Sequence, residues 1–293
     1  MRQAGRWAAV CVLGGSWAMA QAPAGGVPLR VIAFGAHPDD CDQRAGGTAA
    51  KWAAAGHQVK FVSVTNGDAG HQSEGGGALA RRRRLEAQEA GRRFGIAEYE
   101  TLDNHDGQLV PSVDVREQVI RKIRQWKADV VLGPRPNDYH PDHRYTGVLL
   151  QDAAYMVVVP NIAPDTPPLR TNPVFLYFQD GFQRPNPFRA DVAVAIDDVL
   201  DAKIRALDAH TSQMYEWLPW VAGNLDQVPS DPAARVDWLR KTRSGQPLAE
   251  TVRDALRRRY GAKADAIRNA EAFELCEYGR RPAEGELSRL FPF

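Results

Sequence analysis

Short apolar runs alternate with amphipathic stretches along most of the chain. The runs at 29–34 and 129–133 are almost wholly apolar, as in strands buried on both faces, whereas 59–65 alternates apolar with polar positions. This pattern predicts strands at 29–34, 59–65, 98–102, 129–133, 174–178 and 192–196. The intervening stretches predict helices at 45–55, 78–94, 113–126, 145–158, 198–209 and 248–259. The Pro-, Asp- and Gly-rich segment 221–246 is predicted to be a surface excursion.

Strands that alternate with helices indicate βαβ units and therefore a mostly parallel sheet. The predicted fold is α/β, a Rossmann-like sheet flanked by helices, in a single domain over residues 29–293. In such sheets ligands bind beyond the carboxyl ends of the strands. The loops that follow Phe34, Thr65, Leu102 and Gly133 are therefore the first places to look for chemistry.

The first twenty residues have the pattern of an export signal. Two arginines precede an apolar stretch at 7–20 that contains no acid and ends in Ala18-Met19-Ala20. We expect a signal peptide at 1–20, cleavage near Ala20, a linker at 21–28 and a periplasmic or secreted mature protein.

Composition excludes several classes of protein. Lys and Arg number 37 and Asp and Glu 36, so the net charge of +1 gives no global bias toward nucleic acid or an anionic membrane. No apolar run reaches the roughly 18 residues that a membrane span needs. The 3 cysteines are too few for a disulfide scaffold. Whether Cys41 and Cys276, which remain after cleavage, pair with each other is left open.

Two loops concentrate residues that bind metals. His37-Pro38-Asp39-Asp40 follows the first predicted strand, and His140-Pro141-Asp142-His143 follows the strand at 129–133. Either tetrapeptide alone is ordinary turn chemistry. Together they provide three protein ligands for a catalytic zinc ion, which polarises a carbonyl and activates water. They also leave a free carboxylate that could take the proton of water. The pair therefore predicts a metal site.

These motifs resemble those of the PIG-L/LmbE-like family of zinc-dependent N-deacetylases. The resemblance runs from about Val31 to about Val158 and continues more weakly toward the C-terminus. The matching segments are 36–40 with Gly46-Gly47, Thr65-Asn66-Gly67, Arg83 with Glu86, Asp106-Gly107 and 138–144.

The resemblance implies a role for each motif residue. The ligands of one divalent ion, zinc with iron as an alternative, would be His37, Asp40 and His143. Asp39 would be the general base that takes a proton from the attacking water. His140 would stabilise the oxyanion or act as general acid, and Asp142 would orient His140.

Further positions are implied to bind the substrate. They are Arg83, Asp106, Asp138 and Tyr139, with a solvated helix face as the alternative for the run of arginines at 81–84. The family usually has Glu where this chain has Cys41, which is either a fourth ligand or a neutral neighbour. Some members carry Tyr where Asp138 stands, so the role of Tyr139 is left open.

Three functions are compatible with these residues. The first is a zinc hydrolase that removes an N-acyl group, most often acetyl, from an amino sugar or glycoconjugate. The second is a non-catalytic glycan-binding protein on the same fold, which would not need Asp39 and His140. The third is a Rossmann-type nucleotide-binding protein, but this chain lacks the G-x-G-x-x-G motif after its first predicted strand. The sequence leaves the substrate and the oligomeric state open.

Overall fold

The computed structural model describes residues 27–293. The predicted signal peptide at 1–20 and most of the linker at 21–28 lie outside the described residues, so export stays a prediction. Among the helices described, none is long and apolar enough to cross a membrane.

Strands and helices alternate through the first half of the chain. The strands are β1 (Arg30–Gly35), β2 (Gln58–Thr65), β3 (Glu98–Asn104), β4 (Val130–Gly133), β5 (Val174–Phe178), β6 (Val192–Ala195) and β7 (Ala270–Leu275). The helices are α1 (Asp40–Ala54), α2 (Gly76–Phe94), α3 (Val113–Trp126), α4 (Pro141–Met156), α5 (Leu200–Leu207), α6 (Leu218–Val221), α7 (Pro232–Arg243), α8 (Glu250–Tyr260) and α9 (Glu286–Leu290). A π-helical segment, Ser212–Trp217, leads into α6.

The described strands form one sheet in the order β3-β2-β1-β4-β5-β7-β6. Pairing is parallel from β3 to β5, and β7 runs antiparallel to both of its neighbours. Successive side chains of β1 enter opposite cores, because side chains alternate along a strand. Val31 packs in the core that contains Trp52 of α1, whereas Ile32 packs in the core that contains Ile120 and Leu149. The predicted α/β architecture is confirmed.

The sheet order identifies where a ligand should bind. From β1 the chain moves outward to β2 and β3, and then returns to place β4 on the other side of β1. Such a reversal opens a crevice at the carboxyl ends of the two central strands. The helices α1 and α4 begin at this crevice, directly after the loops that hold the two predicted metal-binding motifs.

The structure corrects several boundaries. The helix predicted from 45 begins at Asp40, and the helix predicted from 145 begins at Pro141. Each extension brings motif residues onto the first helical turn, where backbone N–H groups lack partners and acidic side chains are favoured. The strand β7 was not predicted, and α7 lies inside the segment predicted to be a surface excursion.

Candidate active site and metal centre

Three side-chain atoms from the two motifs face one point in the crevice. His37 Nδ1 lies 3.2 Å from His143 Nε2, and Asp40 Oδ2 lies 3.6 Å from the first and 3.4 Å from the second. Bond lengths of about 2.0–2.2 Å around a tetrahedral zinc ion separate the ligand atoms by about 3.3–3.6 Å. These three residues therefore fit a metal ion, and they are the set that the resemblance implies.

The opposite nitrogen of each histidine faces a carboxylate. His143 Nδ1 lies 2.9 Å from Asp138 Oδ1. His37 Nε2 lies 3.0 Å from Asp106 Oδ1 and 3.4 Å from Asp142 Oδ2, although within residues 27–293 this buried nitrogen forms no hydrogen bond. Histidines that ligate a metal usually donate their other N–H to a carboxylate, which fixes the tautomer. The arrangement therefore fits two metal-ligating histidines, each with a carboxylate beside its second nitrogen.

Adjacent aspartates point to different partners. Asp40 Oδ2 accepts the backbone N–H of His37 at 2.8 Å and faces the two histidines. Burial opposes ionisation of Asp40, but the charges of His143 and His37 hold its pKa well below the ordinary range. Asp39 turns away from this set. Its φ of 153° is a conformation that residues other than glycine rarely adopt, and such strain is common at functional sites.

The carboxylate of Asp39 is held at both oxygens. Arg83 Nη2 donates to Oδ1 at 3.2 Å, and Gln43 Nε2 donates to Oδ2 at 3.0 Å. Asp39 is only 4% exposed. Burial raises its pKa, although the positive charge of Arg83 works in the opposite direction. A buried, fixed carboxylate that is not part of the ligand triangle is compatible with the general base that the resemblance implies, and this role stays a prediction.

Arg83 lies beneath the site, where it is 2% exposed. Its guanidinium also donates to the carbonyl of Gly67 and lies 3.5 Å from Asp106 Oδ2. A Cβ at Gly67 or Gly70 would come within 2.7 Å of this guanidinium, so glycine leaves the space that the arginine occupies. The alternative of a solvated helix face is excluded for Arg83. Its contact with a sugar stays a prediction, and its observed contacts position Asp39.

His140 and Tyr139 lie at the mouth of the site. The ring centroid of His140 is 4.7 Å from that of His37, and its Nδ1 accepts the backbone N–H of Asp142. Nε2 is then the nitrogen that carries the hydrogen. Burial and the charges of His37 and His143 lower the pKa of His140, which favours the neutral ring. Tyr139 is 73% exposed with its ring 5.5 Å from that of His143, a position open to a substrate.

Asp142 contacts His140 through its backbone rather than through its carboxylate. Its Oδ2 accepts the backbone N–H of Gly107 at 2.7 Å and lies 3.4 Å from His37 Nε2. Its Oδ1 is buried without a hydrogen-bond partner among the described residues. The carboxylate thus joins the second motif to the Asp106-Gly107 loop. Charge stabilisation of His140 by Asp142 stays a prediction.

The sequence did not reveal two features of the site. Gln43, which holds Asp39, could have been noticed because it lies four residues after Asp39, in the first turn of α1. Asp106 and Asp138, predicted to bind substrate, lie against the two ligand histidines. Cys41 is a buried free thiol whose pKa is raised by burial, which favours the neutral-neighbour alternative, and Cys276 is also free.

The sequence of this chain is similar to those of known proteins. The PIG-L family model, described as GlcNAc-PI de-N-acetylase, matches residues 32–154, which include both motifs. The diacetylchitobiose deacetylase of Thermococcus kodakarensis is 31% identical over 204 residues, which cover 65% of this chain and 73% of that protein.

Solved structures share the fold at lower identity. The N,N'-diacetylchitobiose deacetylase of Pyrococcus horikoshii has a TM-score of 0.62 at 24% identity, over 85% of this chain and 84% of that one. GalB of Pseudomonas putida KT2440, a 4-carboxy-2-hydroxymuconate hydratase, has a TM-score of 0.64 at 21% identity, over 87% and 99%. Enzymes of different reaction classes share the fold, so the fold does not decide the reaction. The sequence match does decide the family, and the chain belongs to the PIG-L (GlcNAc-PI de-N-acetylase) family.

Proposed function

We propose that the protein is a metal-dependent N-deacetylase that hydrolyses the N-acetyl group of an amino sugar or glycoconjugate. The observation that carries the proposal is the division of labour in the first motif: Asp40 faces the two histidines, while Asp39 is held apart by Arg83. Family membership and a relative named diacetylchitobiose deacetylase support the same reaction.

The ion would be held by His37, Asp40 and His143, and zinc is the metal that this donor set favours. Two imidazoles and one carboxylate are a common ligand set for catalytic zinc. When bound, the ion would supply the Lewis acidity that lets water attack an amide carbonyl near neutral pH. Iron is the alternative, because imidazole and carboxylate ligands also suit it.

Asp39 takes the proton of the attacking water in the proposed reaction. Its two hydrogen bonds keep it in place before the substrate arrives. Water adds to the amide carbonyl, and the proton that Asp39 took is passed to the nitrogen as the C–N bond breaks, so that the nitrogen leaves as an amine. Acetate and the free amino sugar are the products.

His140 would act on the oxyanion side of the reaction. Its neutral ring, with the hydrogen on Nε2, can donate to the oxygen on which negative charge develops. Donors aimed at developing charge are among the largest contributions to catalysis. A protein that only bound glycans would need neither this donor nor the strained Asp39.

The test is acetate release from a panel of N-acetylated sugars, with the metal content measured on the same sample. The panel should include N-acetylglucosamine, diacetylchitobiose and acidic N-acetyl sugars. We expect acetate and free amine in equal amounts, loss of activity after dialysis against a chelator, and recovery with zinc or ferrous ion. Turnover that survives complete metal removal would contradict the proposed mechanism. Absence of acetate from every sugar in the metal-loaded sample would contradict the proposed function.

A further inference from the structure

Two arginines border the candidate site without an acidic partner. Arg44 lies one turn after Asp40 on α1, and both line a cavity that His143 also lines. Arg243 is the last residue of α7, and its guanidinium reaches Gln43, the residue before Arg44. Both side chains are exposed. Within residues 27–293, no carboxylate oxygen lies within 4.0 Å of either guanidinium.

Neutral groups hold both guanidiniums toward the site. Arg44 Nη1 donates to the carbonyl oxygen of Gln179 at 3.2 Å. Arg243 Nη1 donates to Gln43 Oε1 at 3.3 Å, and the amide of the same Gln43 donates to Asp39. Arg243 is therefore joined to the proposed general base through one side chain. Neither arginine is simply an unattached surface cation.

The acidic side chains of this region already have partners. Asp138 pairs with His143 at 2.9 Å, and Asp180 pairs with Arg135 at 2.6 Å. Both Asp39 and Arg44 act on Arg243: crowding by the protein lowers the pKa of Arg243, the charge of Asp39 raises it, and repulsion from Arg44 lowers it. An external anion would relieve this repulsion. The planar guanidinium matches carboxylate and phosphate oxygens in pairs.

We propose that Arg44 and Arg243 form an anion subsite beside the metal centre, which binds a carboxylate or phosphate group carried by the substrate. The inference rests on the proposed function and makes it more specific: the preferred substrate is an acidic N-acyl amino sugar rather than a neutral one. The two sources of the anion share one chemistry, and the experiment separates them.

The experiment measures binding without turnover. Calorimetry on the metal-loaded protein compares glucosamine with glucosamine 6-phosphate, glucosamine 1-phosphate and muramic acid, which carries a carboxylate. We expect at least one acidic sugar to bind about tenfold more tightly than glucosamine, as for a hydrogen bond to a charged group. The preference should fall as salt rises, because both arginines are exposed. Preference for phosphate or for carboxylate identifies the source.

Variants assign the preference to the two arginines. Arg44→Gln and Arg243→Gln should each reduce the ratio of acidic to neutral affinity, and the double variant should bring it close to one. The control is Arg281→Gln, an exposed arginine in the loop after β7, which should keep the wild-type ratio. A ratio near one in the wild type overturns the proposal. A ratio that persists in the double variant also overturns it, because the anion would then bind elsewhere, for instance the metal.

The outcome is separable from that of the proposed function. Equal rates of acetate release from neutral and acidic N-acetyl sugars, with equal binding of their products, would leave the deacetylase and remove the subsite. An arginine-dependent preference without acetate release from any sugar would leave the subsite and remove the deacetylase.

Discussion

The loop after β1 and the loop after β4 place similar residues at one site, but they are held differently. In the first loop Asp39 is 4% exposed and both of its carboxylate oxygens accept hydrogen bonds. In the second loop Tyr139 is 73% exposed, and the ring of His140 is anchored only at Nδ1 among the described residues. One side of the site is thus fixed by the protein interior, and the other opens toward solvent.

This difference indicates how the two halves divide the chemistry. A general base must stand in a defined place before the reaction, and buried hydrogen bonds provide that. Groups that meet the substrate must be reachable, so they lie at the exposed mouth. If the division is correct, substitution of Asp39 should lower kcat without loss of metal, and substitution of the exposed Tyr139 should have an effect that depends on the substrate used.

The largest expected effect tests whether both loops supply metal ligands. His37→Ala and His143→Ala each remove one corner of the 3.2–3.6 Å triangle. We expect both variants to lose the ion during purification and to show only background acetate release. Elemental analysis gives the metal content per chain. The control is His57→Ala, a half-buried histidine that precedes β2 at the opposite edge of the sheet. Full occupancy in either ligand variant would place the metal elsewhere.

The next largest effect is expected for Asp39, in the loop after β1. Asp39→Asn keeps the shape of the side chain and still accepts from Arg83, but it cannot take a proton from water. We expect the variant to retain its metal while kcat falls on the order of 10²- to 10⁴-fold, as for a lost general base. Side-by-side measurements of kcat and metal content check this. A near wild-type rate, or loss of metal, would assign Asp39 a different role.

A smaller loss of activity is expected for His140, in the loop after β4. His140→Ala should retain metal and lose on the order of 10²-fold in kcat, because its proposed hydrogen bond forms mainly in the transition state. The KM for the same N-acetyl sugar should change little. A large rise in KM with unchanged kcat would show that His140 binds the ground state instead.

The fold could be predicted largely because local patterns and sheet topology agree. Apolar runs located β1 and β4, an alternating pattern located β2, and the rule for parallel sheets placed both motifs at one crevice. β7 was missed because Glu271 and Glu274 interrupt its apolar pattern. Glu271 is buried there against Lys203 at 2.7 Å, a pairing between distant residues that no local window reveals.

Prediction of the site from sequence met the same limit, because local patterns do not reveal contacts between distant residues. The predicted ligand set followed from the resemblance of two short motifs to the PIG-L/LmbE-like family. The contacts of Arg83 and Asp138 did not, because they depend on how segments far apart in the chain meet in space. For α7 a local signal did exist: Asp231 caps the helix and Pro232 stands at its first position. The Pro- and Gly-rich composition around it obscured that signal.

The smallest expected effect distinguishes two roles for Asp138 in the open loop. Asp138 was predicted to bind substrate, yet its Oδ1 lies 2.9 Å from His143 Nδ1. Asp138→Asn can still accept this hydrogen bond but removes the negative charge. Loss of such an orienting acid typically weakens metal affinity about 10- to 100-fold, and the retained hydrogen bond favours the lower end.

Titration of the apoprotein with zinc measures that affinity, and assays at saturating zinc measure what remains. An orienting role predicts weaker zinc binding with kcat and KM restored by excess metal. A substrate contact predicts unchanged zinc binding and a raised KM that zinc does not restore. The matched control is Asp152→Asn, which should alter neither quantity. Asp152 is an exposed aspartate on α4, the helix that carries His143, and it lies 3.5 Å from Arg116. The substitution leaves the shape of the Asp138 side chain nearly unchanged and removes its charge. Weaker zinc binding that excess zinc overcomes would therefore mean that the loop after β4, like the loop after β1, needs a fixed partner to hold a functional side chain.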